Sequence, residues 1–407
     1  MSVQARAATL VLVALMLAGS MPVAGAGAEV RTPLLLVGVG DLALDEAEKR
    51  VRLMGGTVVE RIPQIGLIAV DEGRATDLAA RLDAAPWTDY VGRDGLARAL
   101  DLNAMTPNPP ADPLYHRQWG PAVANFTGAW RSEQGQEGVI VAVLDSGVFV
   151  QHPDLVEACA RHCGLGNVDG YGHGTHVAGI IAAAANNGEG IAGVAPGVSI
   201  MSIKVLTDAG VGPWLTIIQG VVMAADAGAR VISMSLGGQC DAGTCEALRE
   251  AGRYAASRDA LLVAAAGNAG CAPCVAYPAA LPEYMAVAAS RGPHGDFAWF
   301  SSRGPELEIS APGEAVVSAM APASVLGGVC LLDGYVSPHY CALDGTSMAA
   351  PHVSGAAALI MSRCPHVPAA DVRAVLVSTA KDRGPKGHDW IYGHGSLDAG
   401  RALAAAC

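Results

Sequence analysis

The chain has 407 residues, of which 51% are hydrophobic and 16% charged, and it carries a net charge of −12. At about 150 residues per domain this allows two or three compact units, and the apolar content excludes an intrinsically disordered chain. The acidic balance and an aromatic share of only 5% argue against a nucleic-acid partner, which needs basic patches and stacking platforms.

Residues 1–28 read as a secretory signal: Arg6 is the positive start, residues 7–18 are apolar, and A-x-A occurs at 24–26 and 26–28. The apolar run is too short to span a bilayer, so a secreted, extracellular chain with no membrane attachment after signal removal is expected. Residues 30–100 predict a small unit: a strand at 34–39, a helix at 45–54, strands at 57–62 and 66–70, a helix at 75–84 and a last strand beginning at 89–91. The order β-α-β-β-α-β predicts a ferredoxin-like α+β domain, without cysteine or catalytic cluster. Residues 101–113, DLNAMTPNPPADP, are rich in Pro and Asn and read as a linker.

From residue 114 to 407 the pattern changes. Apolar runs at 139–144, 199–206, 230–236 and 260–266 alternate with helical stretches at 175–185, 214–227 and 244–257. This predicts an α/β domain with a mainly parallel sheet and helices on both faces, in which functional residues gather at the carboxyl ends of strands. All ten cysteines lie beyond residue 150. Their even number in an exported chain suggests disulfides between sequence neighbours, 159/163, 240/245, 271/274 and 330/341, with Cys364 and Cys407 left for each other. Pairs crossing between neighbouring loops are the alternative, and the single C-x-x-C at 271–274 makes zinc the weaker reading.

Three segments carry chemistry. An apolar strand ends on Asp145 in VAVLDSG. A helix begins near His173 in GHGTHVAG. Another begins at Ser347 in GTSMAAPHVSGAAAL, with Pro351 expected in its first turn. Each alone has a plain reading: a strand-closing acid, core histidines or a His173/His176 metal clip, a helix-capping serine. Together they supply what amide hydrolysis needs: a nucleophile, a base to deprotonate it and an acid to orient the base. Asn268, after the apolar run AAAGN, is placed to donate its amide to an oxyanion alongside the backbone N–H at the head of the Ser347 helix.

With SMSLGG at 233–238 and SSRGPELEISAPG at 301–313, these motifs stand in an order that resembles the secreted subtilisin-like serine proteases, the subtilases, over roughly residues 112–405. The resemblance implies a three-layer subtilisin-like fold, a triad of Asp145, His173 and Ser347, and Asn268 in the oxyanion hole. It implies that residues 30–100 are an inhibitory prodomain, cut from the protease within or beside 101–113 and acting as its intramolecular inhibitor. The enzyme would be a self-processed monomeric endopeptidase of extended polypeptides. Ser347 comes last in chain order and lies outside a G-x-S-x-G motif, which disfavours an α/β-hydrolase esterase. Retention of all four residues disfavours a non-catalytic binding module.

The resemblance further implies a groove in which substrate adds a strand between the segments 210–212 and 235–237. Its residues are Gly210, Gly212, Trp214, Ser235, Leu236 and Gly237, with Trp214, Ile217 and Leu236 matching positions that line the pocket for the fourth residue before the cut. Leu236–Gly238, Ala265–Gly267 (Ala266 and Gly267 among them) and residues 276–277 wall the pocket at the cut, where apolar or aromatic side chains are expected. A structural Ca²⁺ is implied at Asp112, Asp154 and Asn187, completed by carbonyls of Ala185, Glu189 and Ile191. No cofactor is implied for catalysis. Residues 321–343 are an insertion relative to compact subtilisins.

Overall fold

The computed structural model describes residues 34–39, 42–62, 67–73, 75–93, 110–163, 168–332 and 334–407; the signal reading and most of the linker lie outside them. The chain divides into two compact units, residues 1–100 and 101–407.

The first unit runs β1 (Leu35–Gly38), α1 (Leu44–Leu53), β2 (Thr57–Ile62), β3 (Leu67–Asp71), α2 (Leu78–Asp83) and β4 (Tyr90–Arg93). Its sheet order is β2-β3-β1-β4 with antiparallel pairs, the ferredoxin-like arrangement that the element order predicts. Period-two apolar positions Leu35/Val37 and Ile68/Val70 face Ala47 and Val51 of α1 and Leu78 and Leu82 of α2. The second helix starts at Leu78, three residues after its expected start.

The second unit is built on β5 (Ile140–Asp145), β6 (Ser199–Lys204), β7 (Val231–Met234), β8 (Leu261–Ala265), β9 (Met285–Arg291), β10 (Asp296–Phe297) and β11 (Leu307–Pro312). They form a seven-stranded sheet in the order β10-β9-β8-β7-β5-β6, with β11 on β9. Every pair is parallel except β10 with β9. The strands are apolar on both sides because both faces are covered: Val141 and Val143 enter one core, Ala142 and Leu144 the other. On the first face lie α3 (His173–Ala182), α6 (Thr346–Arg363), α7 (Ala369–Ser378) and α8 (Ala399–Ala406); on the second lie α4 (Trp214–Asp226) and α5 (Ala242–Ser257). Three layers result. Beyond the sheet, β12 (Val316–Ala319), β13 (Tyr335–Ser337) and β14 (Tyr340–Leu343) make a separate antiparallel ribbon in the order β12-β14-β13.

Helix α6 runs through the core. Every one of its 18 residues is buried except Ser347 and Arg363. Pro351 lies beyond the first turn, at the sixth helical position, contrary to expectation. The helix tolerates it because the carbonyl that its missing N–H would have bonded, that of Ser347, accepts the Ser235 hydroxyl at 2.7 Å instead. All ten cysteines pair as sequence neighbours, 159–163, 240–245, 271–274, 330–341 and 364–407, and zinc and crossed pairings both fall. The last bridge ties the end of α6 to the end of α8. Among the described residues no helix is long and apolar enough to cross a membrane.

Candidate active site

Asp145 closes β5 and is fully buried, with its Oδ1 accepting the Ser146 amide at 2.7 Å. Helix α3 starts on the next segment, its N-cap Gly172 at φ 99°, a conformation that glycine adopts without strain. This sets His173 at the first helical position. Its Nδ1 lies 2.8 Å from Asp145 Oδ1 and 3.0 Å from Oδ2. A carboxylate there fixes the proton on Nδ1 and leaves Nε2 as the basic nitrogen. Burial opposes a charged imidazole, but the charge and hydrogen bond of Asp145, helped by the charge of Asp169, outweigh it and hold His173 above its ordinary value.

Asp169, which the sequence motifs did not single out, is bound to both segments. It is 4% exposed and takes four hydrogen bonds: from the amides of Gly172 (2.7 Å) and Thr175 (2.9 Å) and the hydroxyls of Thr175 (2.6 Å) and Ser146 (2.8 Å). It therefore caps the helix that begins at His173 and, through Ser146, grips the turn after Asp145. The available signal was an acid just upstream of a helix that opens on glycine and has no side-chain cap of its own. Asp169→Asn should lower kcat/KM by about tenfold, equivalent to roughly 1.4 kcal/mol. Because one of the charges that raise His173 is lost, the acid limb of the pH–rate profile should move to lower pH; a fall in rate with an unmoved limb would mean a purely structural role.

Ser347 is the second residue of α6, after N-cap Gly345 and Thr346, so it is not the cap. Its Oγ donates to the Ser235 carbonyl at 3.1 Å and forms no bond to His173. Asn268 follows Gly267, which takes φ 101°. Thr346, a second residue that the sequence reading missed, holds the Asn268 side chain: its N–H and hydroxyl both donate to Asn268 Oδ1 at 2.9 Å, and its hydroxyl accepts the Gly267 amide at 3.0 Å. With Oδ1 engaged twice, Nδ2 is the end left to donate, and it lies 3.4 Å from where a Cβ on Gly345 would stand. The arrangement thus holds two linked groups on the same sheet, Asp145 with His173 after β5 and Asn268 with Thr346 and Ser347 after β8, with β7 between the two strands and Ser235, just beyond it, bonded to Ser347.

A cavity of about 240 Å³ is lined by Gly210, Gly212, Trp214, Ile217, Leu236 and Gly237 among others, and Leu236 follows the Ser235 that bonds Ser347. Trp214 Nε1 donates to the Gln239 carbonyl at 3.1 Å and so spans its two edges. Three of the other expected groove residues lie outside this cavity. Ser235 lies under Ser347, while Ala266 and Gly267 stand beside Ala276, whose amide donates to the Ala266 carbonyl at 2.8 Å. The Ala276 methyl is wedged 3.2 and 3.1 Å from the positions that a Cβ would take on Gly237 and Gly267.

Two other histidines of these motifs, His176 and His352, have packing roles. Buried His176 bonds the Cys341 carbonyl at 3.1 Å, and burial pushes it down to about 3; buried His352 bonds Met348 O at 2.8 Å and is pushed down to about 4. Both are neutral, and His173 and His176 do not form a metal clip. Asp112, Asp154 and Asn187 do converge. Asp154 Oδ1 accepts from Asn187 Nδ2 at 2.8 Å and Oδ2 from the Ile191 amide at 3.1 Å; Asp112 Oδ2 accepts the Asn186 amide at 2.9 Å. Both carboxylates are buried, and Asp112 Oδ1 has no partner. Burial and the nearby charge of Asp154 raise Asp112 above its usual range. No three His, Cys, Asp or Glu side chains among the described residues cluster as metal ligands, so a cation here would also need Asn187 and backbone carbonyls.

Residues 136–395 match the subtilase family, peptidase S8. The chain is 38% identical over 291 residues to thermitase of Thermoactinomyces vulgaris, covering 70% of this chain and 96% of the relative. It is 40% identical over 273 residues to subtilisin DY of Bacillus licheniformis, covering 65% and 91% respectively. Fervidolysin of Fervidobacterium pennivorans aligns at 31% identity over 90% of this chain and 58% of its own length. Among solved structures, a lanthipeptide protease superposes with a TM-score of 0.60 at 29% identity, over 70% of this chain and 93% of that one.

Proposed function

The chain belongs to the subtilase family of serine endopeptidases, and from that premise we propose that Asp145, His173 and Ser347 are its triad and Asn268 its oxyanion donor. Ser347 Oγ attacks the scissile carbonyl while His173 Nε2 takes its proton. Asp145 holds the imidazole in the productive tautomer and balances its charge, and His173 then returns the proton to the leaving amine. The Asn268 amide and the Ser347 backbone N–H, at the positive end of α6, receive the oxyanion. The observation that carries this reading is the bond from His173 Nδ1 to buried Asp145, together with an Asn268 whose oxygen is already held by Thr346. The secreted enzyme should react with a fluorophosphonate probe, and digestion should map the label to Ser347; a label elsewhere, or none, would overturn the assignment.

Substrate would bind as a strand between 210–212 and 235–237, with an apolar side chain in the cavity under Trp214. At the cut, the Ala276 methyl between Gly237 and Gly267 supports a slot for medium-sized apolar side chains over large aromatic ones. Residues 30–100 would act as an intramolecular chaperone and inhibitor, released by a cut within or beside 101–113, and the mature enzyme would work outside the cell as a monomer.

The buried, unpartnered Asp112 oxygen beside Asp154 supports a structural calcium held with Asn187. A divalent ion would relieve the repulsion of two carboxylates taken out of water. Removing it with EDTA should cost roughly 3 kcal/mol if the ion is supplied at about 100 times its Kd, read as a fall of several degrees in Tm. Asp154→Asn should abolish that difference. Equal Tm with and without EDTA would remove calcium from the reading.

A further inference from the structure

The insertion between β12 and β14 is stitched to the loop that carries His173. The amide of Val325 donates to the Gly170 carbonyl at 3.0 Å and that of Leu326 to the Tyr171 carbonyl at 2.9 Å. A Cβ on Gly172, the N-cap of α3, would stand 2.3 Å from Ser324 Oγ. The short helix Val325–Cys330 is capped by Ser324, whose Oγ accepts the Gly327 amide at 3.0 Å, and is tied to β14 by the Cys330–Cys341 bridge. Its inward side chains, Leu326 and Cys330, pack with Met320 and Cys341.

The outward side is apolar and exposed. Val325, Val329 and Leu332, spaced four and three residues apart, are 53%, 49% and 90% exposed. With Leu331 and Tyr335, this segment holds five of the fourteen large apolar side chains that stand exposed among the described residues. Apolar surface concentrated in this way marks a site of contact rather than chance exposure.

Its position says what it contacts, given the triad reading on which the inference rests. The acyl half of a substrate lies along 210–212. Tyr171 marks the end of that edge: a Cβ on Gly210 would stand 2.5 Å from its ring, which lies 6.4 Å from the His173 ring. The carbonyl of the same Tyr171 holds the insertion helix. The insertion therefore borders the His173 loop beyond the acyl edge. His173 Nε2 hands its proton to the leaving nitrogen, so the departing half of the chain leaves past this imidazole.

We propose that Val325, Val329 and Leu332 form a wall for the residues that follow the scissile bond and favour apolar side chains there. The test uses mature enzyme and three substrates with the same acyl half: a p-nitroanilide, and two internally quenched peptides carrying Leu-Leu or Ser-Ser after the cut. In Val329→Ser/Leu332→Ser, the kcat/KM ratio of the Leu-Leu peptide to the anilide should fall at least about fivefold, mainly through KM, and the Leu-Leu preference over Ser-Ser should collapse. Leu332→Ser alone, at the most exposed position, should show part of the same loss and keeps the test open if the double variant fails to fold. Unchanged ratios in both variants, or an equal loss on all three substrates, would overturn the wall. If the parent enzyme hydrolyses none of them, the triad reading fails first.

Discussion

Ser347→Ala should abolish peptide hydrolysis, lowering kcat by roughly a million-fold, the magnitude established for loss of the nucleophile in a subtilisin, a relative of this chain. The fold should survive. The substitution removes the hydroxyl's bond to the Ser235 carbonyl, worth about 1 kcal/mol, but the bond from the Ser235 hydroxyl to the Ser347 carbonyl uses the backbone and remains. Alanine is also the best helix former, and Ser347 lies in the first turn of α6. The variant should accumulate as an uncut chain that still carries residues 30–100, seen by intact mass and by casein hydrolysis. Mature-length product together with casein turnover above background would disprove the nucleophile assignment.

Asp145→Asn should lower kcat by about 10⁴-fold with little change in KM. The backbone amide of Ser146 donates to Oδ1, so it favours the amide oxygen at that position. The new NH₂ then takes the place of Oδ2, which lies 3.0 Å from His173 Nδ1. A donor facing Nδ1 competes with the oxygen kept 2.8 Å away at the Oδ1 position and shifts the imidazole proton toward Nε2, where it blocks the base. The pH dependence gives a second reading. His173 is raised mainly against the pull of burial by the charge and hydrogen bond of Asp145. In the parent enzyme activity therefore falls as pH drops through that raised value, and in the variant the limb of the residual activity should move to lower pH. Stability responds with the opposite sign. A histidine raised in the folded state adds stability that is fully present below its unfolded value, about 6.5, and is lost as pH rises through the folded value. The variant should lack that acid-side stabilisation in urea titrations at pH 5 and 8. Full activity, or an unmoved limb, would remove Asp145 from its role.

Much of the fold and of the proposed site was legible in the chain because each candidate residue lies at a local signal. Asp145 ends an apolar strand, His173 and Ser347 open helices behind glycines, and Asn268 follows a glycine that takes positive φ. The element order of residues 30–100 and the alternation after 114 led to the observed sheets because periodicity two and 3.6 report burial directly. Asp169 and Thr346 escaped notice because they act through bonds to backbone and amide groups brought near by folding, without any periodic trace. Pro351 was placed too early because the partner that makes it tolerable, Ser235, is 112 residues from the Ser347 whose carbonyl it frees. The meeting of Asp112, Asp154 and Asn187 was reached only through resemblance, since three loops far apart in sequence carry no joint signal of their own. The docking of residues 324–326 on the His173 loop had no sequence signal at all.

Helix α6 has one more consequence. Ser347, the nucleophile proposed above, stands at the mouth of a rod whose remaining length is sealed in the interior and pinned at its far end to the C-terminus by the Cys364–Cys407 bridge. Amide hydrogens along such a rod exchange only when the whole domain opens, not by local fraying. An enzyme that cuts loose chains must keep its own from becoming loose. Here the nucleophile is anchored in the part that yields last, so peripheral nicks can accumulate before activity is lost, and ageing preparations would shed surface loops while the active-site titre holds.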